Sequence, residues 1–285
     1  MEADHPSPGA ASAAEADEER AWEQFLDQFE WTRDGAGQLG AEAEIRIPAG
    51  FQFTNGADAM AILQGMGNLI DTPPEGLIGP EGLDWFVVFF FDAAGYVKDD
   101  EKDELDADAL FAEKKEIEKI SNEHRRAAGL ETLTMTGWAK NPFYNQETNN
   151  LEWGVVLQSS GGGENINYQT KLLGRNGFMD VTLVCGPEDL DAVLPQYQDL
   201  LTGFSYTEGN RYAEFRDGDK LAEYGLTALV VGGAAALGAK AGLFAVVGKF
   251  FAKAWKLIVL GVVGIGVALK KFFGFGKHTY ARDRD

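Results

Sequence analysis

The chain has one cysteine, so neither an internal disulfide nor a cysteine-based zinc site is open to it. That residue, Cys185, closes the strand-like run from Val181 to Val184 and reads as a small buried hydrophobe rather than a nucleophile. Histidine is nearly as scarce: His5 and His278 lie towards the ends, and His124 stands among Glu123, Arg125 and Arg126, on what reads as the wet face of a helix. No GxSxG, HExxH or Ser-x-x-Lys pattern occurs, so the common signatures of hydrolases and zinc proteases are missing and no catalytic residue or cofactor motif is assigned. The first seventeen residues are rich in Ala, Ser and Pro and lack the apolar core of a secretory signal. Small residues from Ala10 to Ala14 would suit a cleavage region, and a disordered lead explains them equally well; residues 1–17 are expected to be unstructured.

Positive charge is also missing from most of the chain. Residues 1–219 hold fifteen Lys/Arg against forty-two acids, whereas residues 220–285 hold ten against three. Phosphate would be repelled by the acidic part, which argues against nucleic acid as a partner, while the basic end suits an anionic lipid surface.

What is present is a succession of short periodic segments. Trp22, Phe25, Leu26 and Phe29 repeat at helical spacing. From Leu39 to Ile47 apolar and polar residues alternate as in one half-buried strand. Asn55 with Asp58 reads as a helix start before Met60, Ile62, Leu63 and Met66, and Thr72 to Gly82, full of Pro and Gly, reads as a loop. Trp85 to Phe91 is a continuous aromatic and β-branched run, predicted to be a central strand. A charged helix is expected at 107–127, then strands at 130–139, 151–158, 166–173 and 178–185 separated by turn-rich segments. An amphipathic helix from Leu190 to Leu201, kinked or restarted at Pro195, ends the series near Gly203. The predicted class is α+β, with a mostly antiparallel sheet of about six to seven strands flanked by helices.

After residue 219 the pattern changes. Tyr224 to Ala239 carries no charge, Lys240 follows, and Ala241 to Gly248 is uncharged again; Leu257 to Leu269 forms a second uncharged run. Neither run alone reaches the ~20 residues a bilayer core requires, but Tyr224 to Gly248 does so if Lys240 snorkels or faces a partner. The expected division is a lead at 1–17, an acidic domain at 18–219, an apolar helical hairpin or transmembrane segment at 220–276, and a polar end at 277–285. Gly225, Ala228, Gly232, Ala234, Gly238 and Gly242 fall at spacings that let helix backbones approach, which predicts self-association in the membrane with Lys240 inside a bundle. Lys249, Lys253, Trp255, Lys256, Lys270 and Lys271 are the expected interface residues, and the lysines after an acidic lead-in place the body outside a bacterial inner membrane.

Two glycine patterns and one acidic cluster carry weaker signals. Gly35-Ala-Gly37-Gln-Leu-Gly40 matches GxGxxG, but with a helix before it and a strand after it the segment reads as a turn. Gly161 to Gly163 reads as a hairpin loop. Asp99, Asp100, Asp103 and Asp106 are candidate ligands for a hard cation, against the simpler reading of a solvated loop that favours the start of the following helix.

The segments Trp85 to Phe91, Gly95-Tyr-Val-Lys-Asp-Asp100, Gly137-Trp-Ala139, Pro142-Phe-Tyr144, Asn167-Tyr168, Leu173-Gly-Arg175 and Leu221-Ala-Glu-Tyr-Gly225 resemble a bacterial family of uncharacterised, membrane-anchored proteins over roughly residues 30–275. The resemblance implies a membrane location and brings no catalytic residues. At the level of fold the strand meander and following helix are similar to PsbP-like domains, a non-catalytic binding fold. The expected function is a membrane-anchored scaffold or interaction protein whose partners are the bilayer, copies of itself and another envelope protein; the alternatives are an oligomeric pore with an acidic vestibule and a membrane-tethered enzyme.

Overall fold

The computed structural model describes residues 17, 19–70 and 72–232. The chain divides into two units at Gly233/Ala234, and the fold below is that of the first. A helix, α1, covers residues 19–26 and stops before the predicted Phe29. Then come β1 (Ala36–Leu39), β2 (Ala43–Arg46), β3 (Phe51–Asn55), α2 (Gly56–Gly65), β4 (Gly76–Pro80), β5 (Phe86–Asp92) and α3 (Ala107–Ala127). They are followed by β6 (Leu133–Asn145), β7 (Asn150–Ser159), β8 (Glu164–Leu173), β9 (Phe178–Cys185), α4 (Leu190–Leu201), β10 (Phe204–Tyr206) and α5 (Leu226–Val231).

Seven strands form an antiparallel sheet in the order β3-β4-β5-β9-β8-β7-β6. The order follows from two meanders. Strands β3 and β4 pair across a connection that contains α2, β4 and β5 pair through a short turn, α3 then carries the chain to the far edge, and β6 to β9 return strand by strand until β9 closes against β5. The aromatic run thus becomes an interior strand, third of the seven, with Val87 and Phe89 fully buried as its unbroken hydrophobicity predicts.

Four elements depart from the sequence reading. The alternating stretch from Leu39 to Ile47 is a hairpin: Gly40, at φ +62°, reverses the chain, and Leu39 pairs with Ala43. Alternation survives because paired residues across a tight hairpin share a face, so Leu39, Ala43 and Ile45 all remain buried. This hairpin and β10 make a separate three-stranded sheet. The segment expected as a loop at 72–82 contains β4, whose glycines meet close approaches: a Cβ on Gly76 would lie 2.5 Å from the Phe53 ring, and one on Gly79 2.7 Å from the Trp85 carbonyl. Strand β6 runs through Asn141 and Pro142, expected as turn, because it is an edge strand with register shifts on both sides of Lys140, where a missing N–H breaks no ladder. Finally, α4 is one helix through Pro195.

The sheet is covered on both faces. One face packs Val87, Phe89, Val181 and Leu183 against Val193, Tyr197 and Leu200 of α4 and against the small sheet. The opposite face receives α1 and α2 over β4 and β5, where Leu26, Ile62 and Leu63 meet Leu77, Phe86 and Val88. It receives α3 over β6. Asn55 and Asp106 cap α2 and α3 as their composition predicts, each accepting from two backbone amides. Buried Asn122 ties α3 to the start of β6 by donating to Leu133 O at 2.7 Å and accepting from Leu133 N at 2.9 Å.

Candidate functional site

The last described element explains much of the chemistry of the second face. Helix α5 has only six residues, yet Leu226, Leu229, Val230 and Val231 are buried. Its position is fixed by the loop between β5 and α3. Tyr96 N donates to Lys220 O at 2.8 Å and Ala222 N to Tyr96 O at 2.9 Å. Glu101 accepts from Thr227 N and from Thr227 Oγ1 at 2.9 and 2.7 Å, satisfying the exposed start of the helix. A side chain on Gly225 would strike the Glu101 carboxylate.

Two further acids of this loop are engaged as well. Asp99 accepts from the Tyr144 hydroxyl at 3.2 Å, and Asp106 caps α3. Burial and the Asp99 charge push the Tyr144 hydroxyl well above its ordinary range. Among the described residues no three His, Cys, Asp or Glu side chains stand together as a metal site, so Asp99, Asp100, Asp103 and Asp106 are not assembled into one.

The sequence boundary at 219/220 falls before α5, and the first unit extends to Gly233. Of the expected helix-packing residues, Gly225 precedes α5, Ala228 lies in it, and Gly232 ends it at φ +141°. Ala234, Gly238, Lys240, Gly242, Lys249, Lys253, Trp255, Lys256, Lys270 and Lys271 lie outside the described residues. Among the described residues no helix is long and apolar enough to cross a membrane.

Beneath α5 lies a cavity of about 280 Å³ lined by Lys114, Trp153, Gln169, Lys171, Asp180 and Val230, among others. Three neighbouring strands supply its floor. Lys171 on β8 and Asp180 on β9 are directly paired in register and form an ion pair, although Lys171 is only 5% exposed. Trp153 on β7 lies between cations, with Lys171 Nζ 5.3 Å and Lys114 Nζ 5.5 Å from its ring. From α3, Lys114 donates to Val230 O of α5 at 2.9 Å. Burial, reinforced by the Lys171 charge, lowers the Lys114 ammonium to about 8. Trp153 Nε1 and Asp180 Oδ1 are buried without a hydrogen-bond partner. Sequence reasoning missed this cluster; the signal available was a lysine, Lys171, on the polar side of a strand whose neighbours Leu172 and Leu173 are apolar.

Two larger hollows differ in character. One of about 620 Å³ lies between α4, β10 and the β6–β7 hairpin, and includes Glu152, Tyr197 and Arg211. Burial raises the Glu152 carboxyl, partly offset by the Tyr168 hydroxyl that donates to it at 2.9 Å. The other, about 500 Å³, is an apolar groove between α2 and α3 floored by Phe86, Val88 and Phe90. Cys185 is buried and its thiol is pushed up to about 11 by desolvation and the nearby Asp189 and Glu188, as an inert core residue should be.

The described fold is an α+β sandwich built on a seven-stranded antiparallel sheet. The chain belongs to the family described as "Protein of unknown function (DUF2167)", whose match spans residues 32–265. No curated protein matches it. Among solved structures it is similar to cyanobacterial PsbP (CyanoP) from Synechocystis sp. PCC 6803, at 9% identity and a TM-score of 0.37 over 60% of this chain and 90% of that one.

Proposed function

We propose that this is a membrane-anchored, non-enzymatic interaction protein that self-associates through the small residues following Gly233. One observation carries the reading: the break in composition at the end of α5. Residues 233–285 hold nine Lys/Arg and two acids around two apolar runs, after a body with a large acidic excess. That pattern suits an anionic bilayer and disfavours a further soluble layer. Packing of α5 on the body also sharpens the geometry. With Leu226–Val231 held there, the stretch left before Lys249 falls short of the ~20 residues of a full span. The reading favoured is then shallow insertion of two short apolar segments, with Lys249, Lys253 and Lys256 kept at the interface.

Vesicle flotation tests the anchor. Full-length protein should float with vesicles containing phosphatidylglycerol, and a chain ending at Gly232 should stay in solution and remain folded. If the full-length protein fails to float, the anchor is wrong. Solubilised mass in mild detergent tests self-association, and a monomer would remove it. A pore is the second reading, favoured by Lys240 in an otherwise uncharged run; ion flux through reconstituted vesicles separates it from a scaffold.

A further inference from the structure

We propose that the hollow between α4, β10 and the β6–β7 hairpin is a binding site for a small organic monocation, a primary ammonium on an apolar body, seated on Glu152. The inference goes beyond the membrane reading and does not depend on it.

Buried charge elsewhere in this fold is answered by the protein itself. Lys171 pairs with Asp180, and Arg125 donates to the backbone carbonyls of Glu131 and Gly67. Glu152 differs. Among the described residues it is the one buried acid, 6% exposed, and no lysine or arginine forms an ion pair with it. Its hydrogen bond comes from the Tyr168 hydroxyl and goes to Oε2. Lys140 acts on it only from a distance, with its Nζ held over the Phe143 ring. Burial accordingly raises the Glu152 carboxyl, as expected of a negative charge left uncompensated.

The second oxygen is reachable. Among the described residues the side-chain atoms both unpartnered and closed to solvent are Glu42 Oε2, Trp153 Nε1 and Asp180 Oδ1. Glu152 Oε1 has no partner and is not one of them, so solvent touches it where Glu152 lines the hollow. A carboxylate oxygen only accepts, so a donor completes it, and a cationic donor also answers its charge.

The rest of the lining chooses among cations. A divalent metal such as calcium wants about six or more oxygens and further carboxylates, and Glu152 is the only acid on these walls. Tyr197, Phe204 and Tyr206, with Leu172 and Leu201, offer aromatic and aliphatic surface instead, which suits an alkylammonium. Arg211, the one base on the lining, is exposed and sits in the field of Glu214. It repels a second ammonium and is already engaged by a carboxylate, which selects a single positive charge with no negative one beside it. The acidic excess of residues 1–219 draws cations towards such an opening. Its volume, about 620 Å³, lies within the ~300–1,000 Å³ of small-molecule sites.

The test is calorimetric titration of full-length protein in mild nonionic detergent, with n-butylammonium, n-butanol, butyrate and potassium ion as probes. Butylammonium should bind saturably. Butanol, nearly the same in shape, should bind at least about tenfold more weakly, the worth of one charge-assisted hydrogen bond, and butyrate and potassium should not compete. Glu152→Gln keeps an acceptor for the Tyr168 hydroxyl while removing the charge. It should weaken butylammonium by the same factor and leave butanol unchanged, with thermal melting reporting that the variant is folded. The unaltered protein gives the same test by acidification: as Glu152 takes up a proton, butylammonium binding should fall and butanol binding should stay. Of its neighbours, the Tyr168 and Tyr197 hydroxyls are pushed up by burial and keep their protons, and Lys140 is the cation acting on it. Absence of saturable butylammonium binding overturns the proposal. So does butanol, butyrate or potassium binding as tightly, undiminished binding by folded Glu152→Gln, or an affinity indifferent to acidification.

Discussion

On the α4 side of the sheet, tyrosines end in matched hydrogen bonds. Tyr197 donates to Thr170 Oγ1 at 2.6 Å, and Tyr206 donates to Leu172 O at 2.6 Å while accepting from Met179 N at 2.8 Å. On the α5 side Trp153 and Lys171 are buried and Asp180 is half-buried, yet Trp153 Nε1 and Asp180 Oδ1 stand unpaired. Glu42 Oε2, in the β1–β2 turn, is the one other buried polar side-chain atom without a partner among the described residues. The contrast teaches where this fold tolerates incomplete chemistry. Under the long helix and the second sheet the tyrosine hydroxyls are matched, and Glu42 Oε2 in the turn of the small sheet is the exception. The face covered by the six residues of α5 holds the other two unpaired atoms.

The strongest way to break this comparison is to remove the seal. A chain ending at Asp219 loses α5 and uncovers Trp153 and the inner side of α3, whereas one ending at Gly232 keeps both covered. With four buried aliphatic side chains at about 1.5–3 kcal/mol each, the shorter chain is expected to lose on the order of 6 kcal/mol and to melt far lower in a thermal scan. Equal melting temperatures for the two truncations would mean that α5 is an ornament.

A smaller effect should follow from pH. The folded-state Lys114 ammonium sits at about 8 and its unfolded counterpart near 10.5, so between those values the unfolded chain binds the extra proton. The Lys114 contribution to stability therefore rises with pH through that window, by up to about 2 kcal/mol from pH 8 to 9.5, while the raised Cys185 thiol works in the opposite direction and by less. Urea titrations across the range should show the gain in the native protein and its absence in Lys114→Met. The smallest change is expected on the matched face: Tyr197→Phe leaves Thr170 Oγ1 without its donor and costs about 1 kcal/mol, with no dependence on pH below 9.

Legibility in the sequence varied for identifiable reasons. Helix α3 has the predicted limits because its cap, its charged outer face and its basic last turn are all local signals. Strands β7 to β9 were likewise readable from alternation and intervening turns. Strand β4 was not, since its glycines are there for the Phe53 ring and the Trp85 carbonyl, and the same letters spell a loop when those neighbours are unknown. The hairpin at Gly40 hid behind a periodicity that a reversal leaves intact. Helix α5 was assigned to the apolar tail because its residues suit lipid as well as they suit α3 and the sheet. The cavity was out of reach for a related reason: Lys114, Trp153, Lys171 and Asp180 sit on four different elements, and only the sheet order brings them together.

The irregular outer strand β6 has a bearing on how copies of this protein can meet. Three breaks in its pairing and the missing amide of Pro142 leave no even row of donors and acceptors for another chain to zip onto. At the opposite margin, β3 is already occupied in part by Thr32, which exchanges two backbone hydrogen bonds with Phe53 at 2.8 Å each. Both rims of the seven-stranded sheet are thus blunted against fibre-like stacking. Copies that meet at these two rims do so through side-chain contacts, which are reversible, and not through a shared ribbon of backbone, which is not.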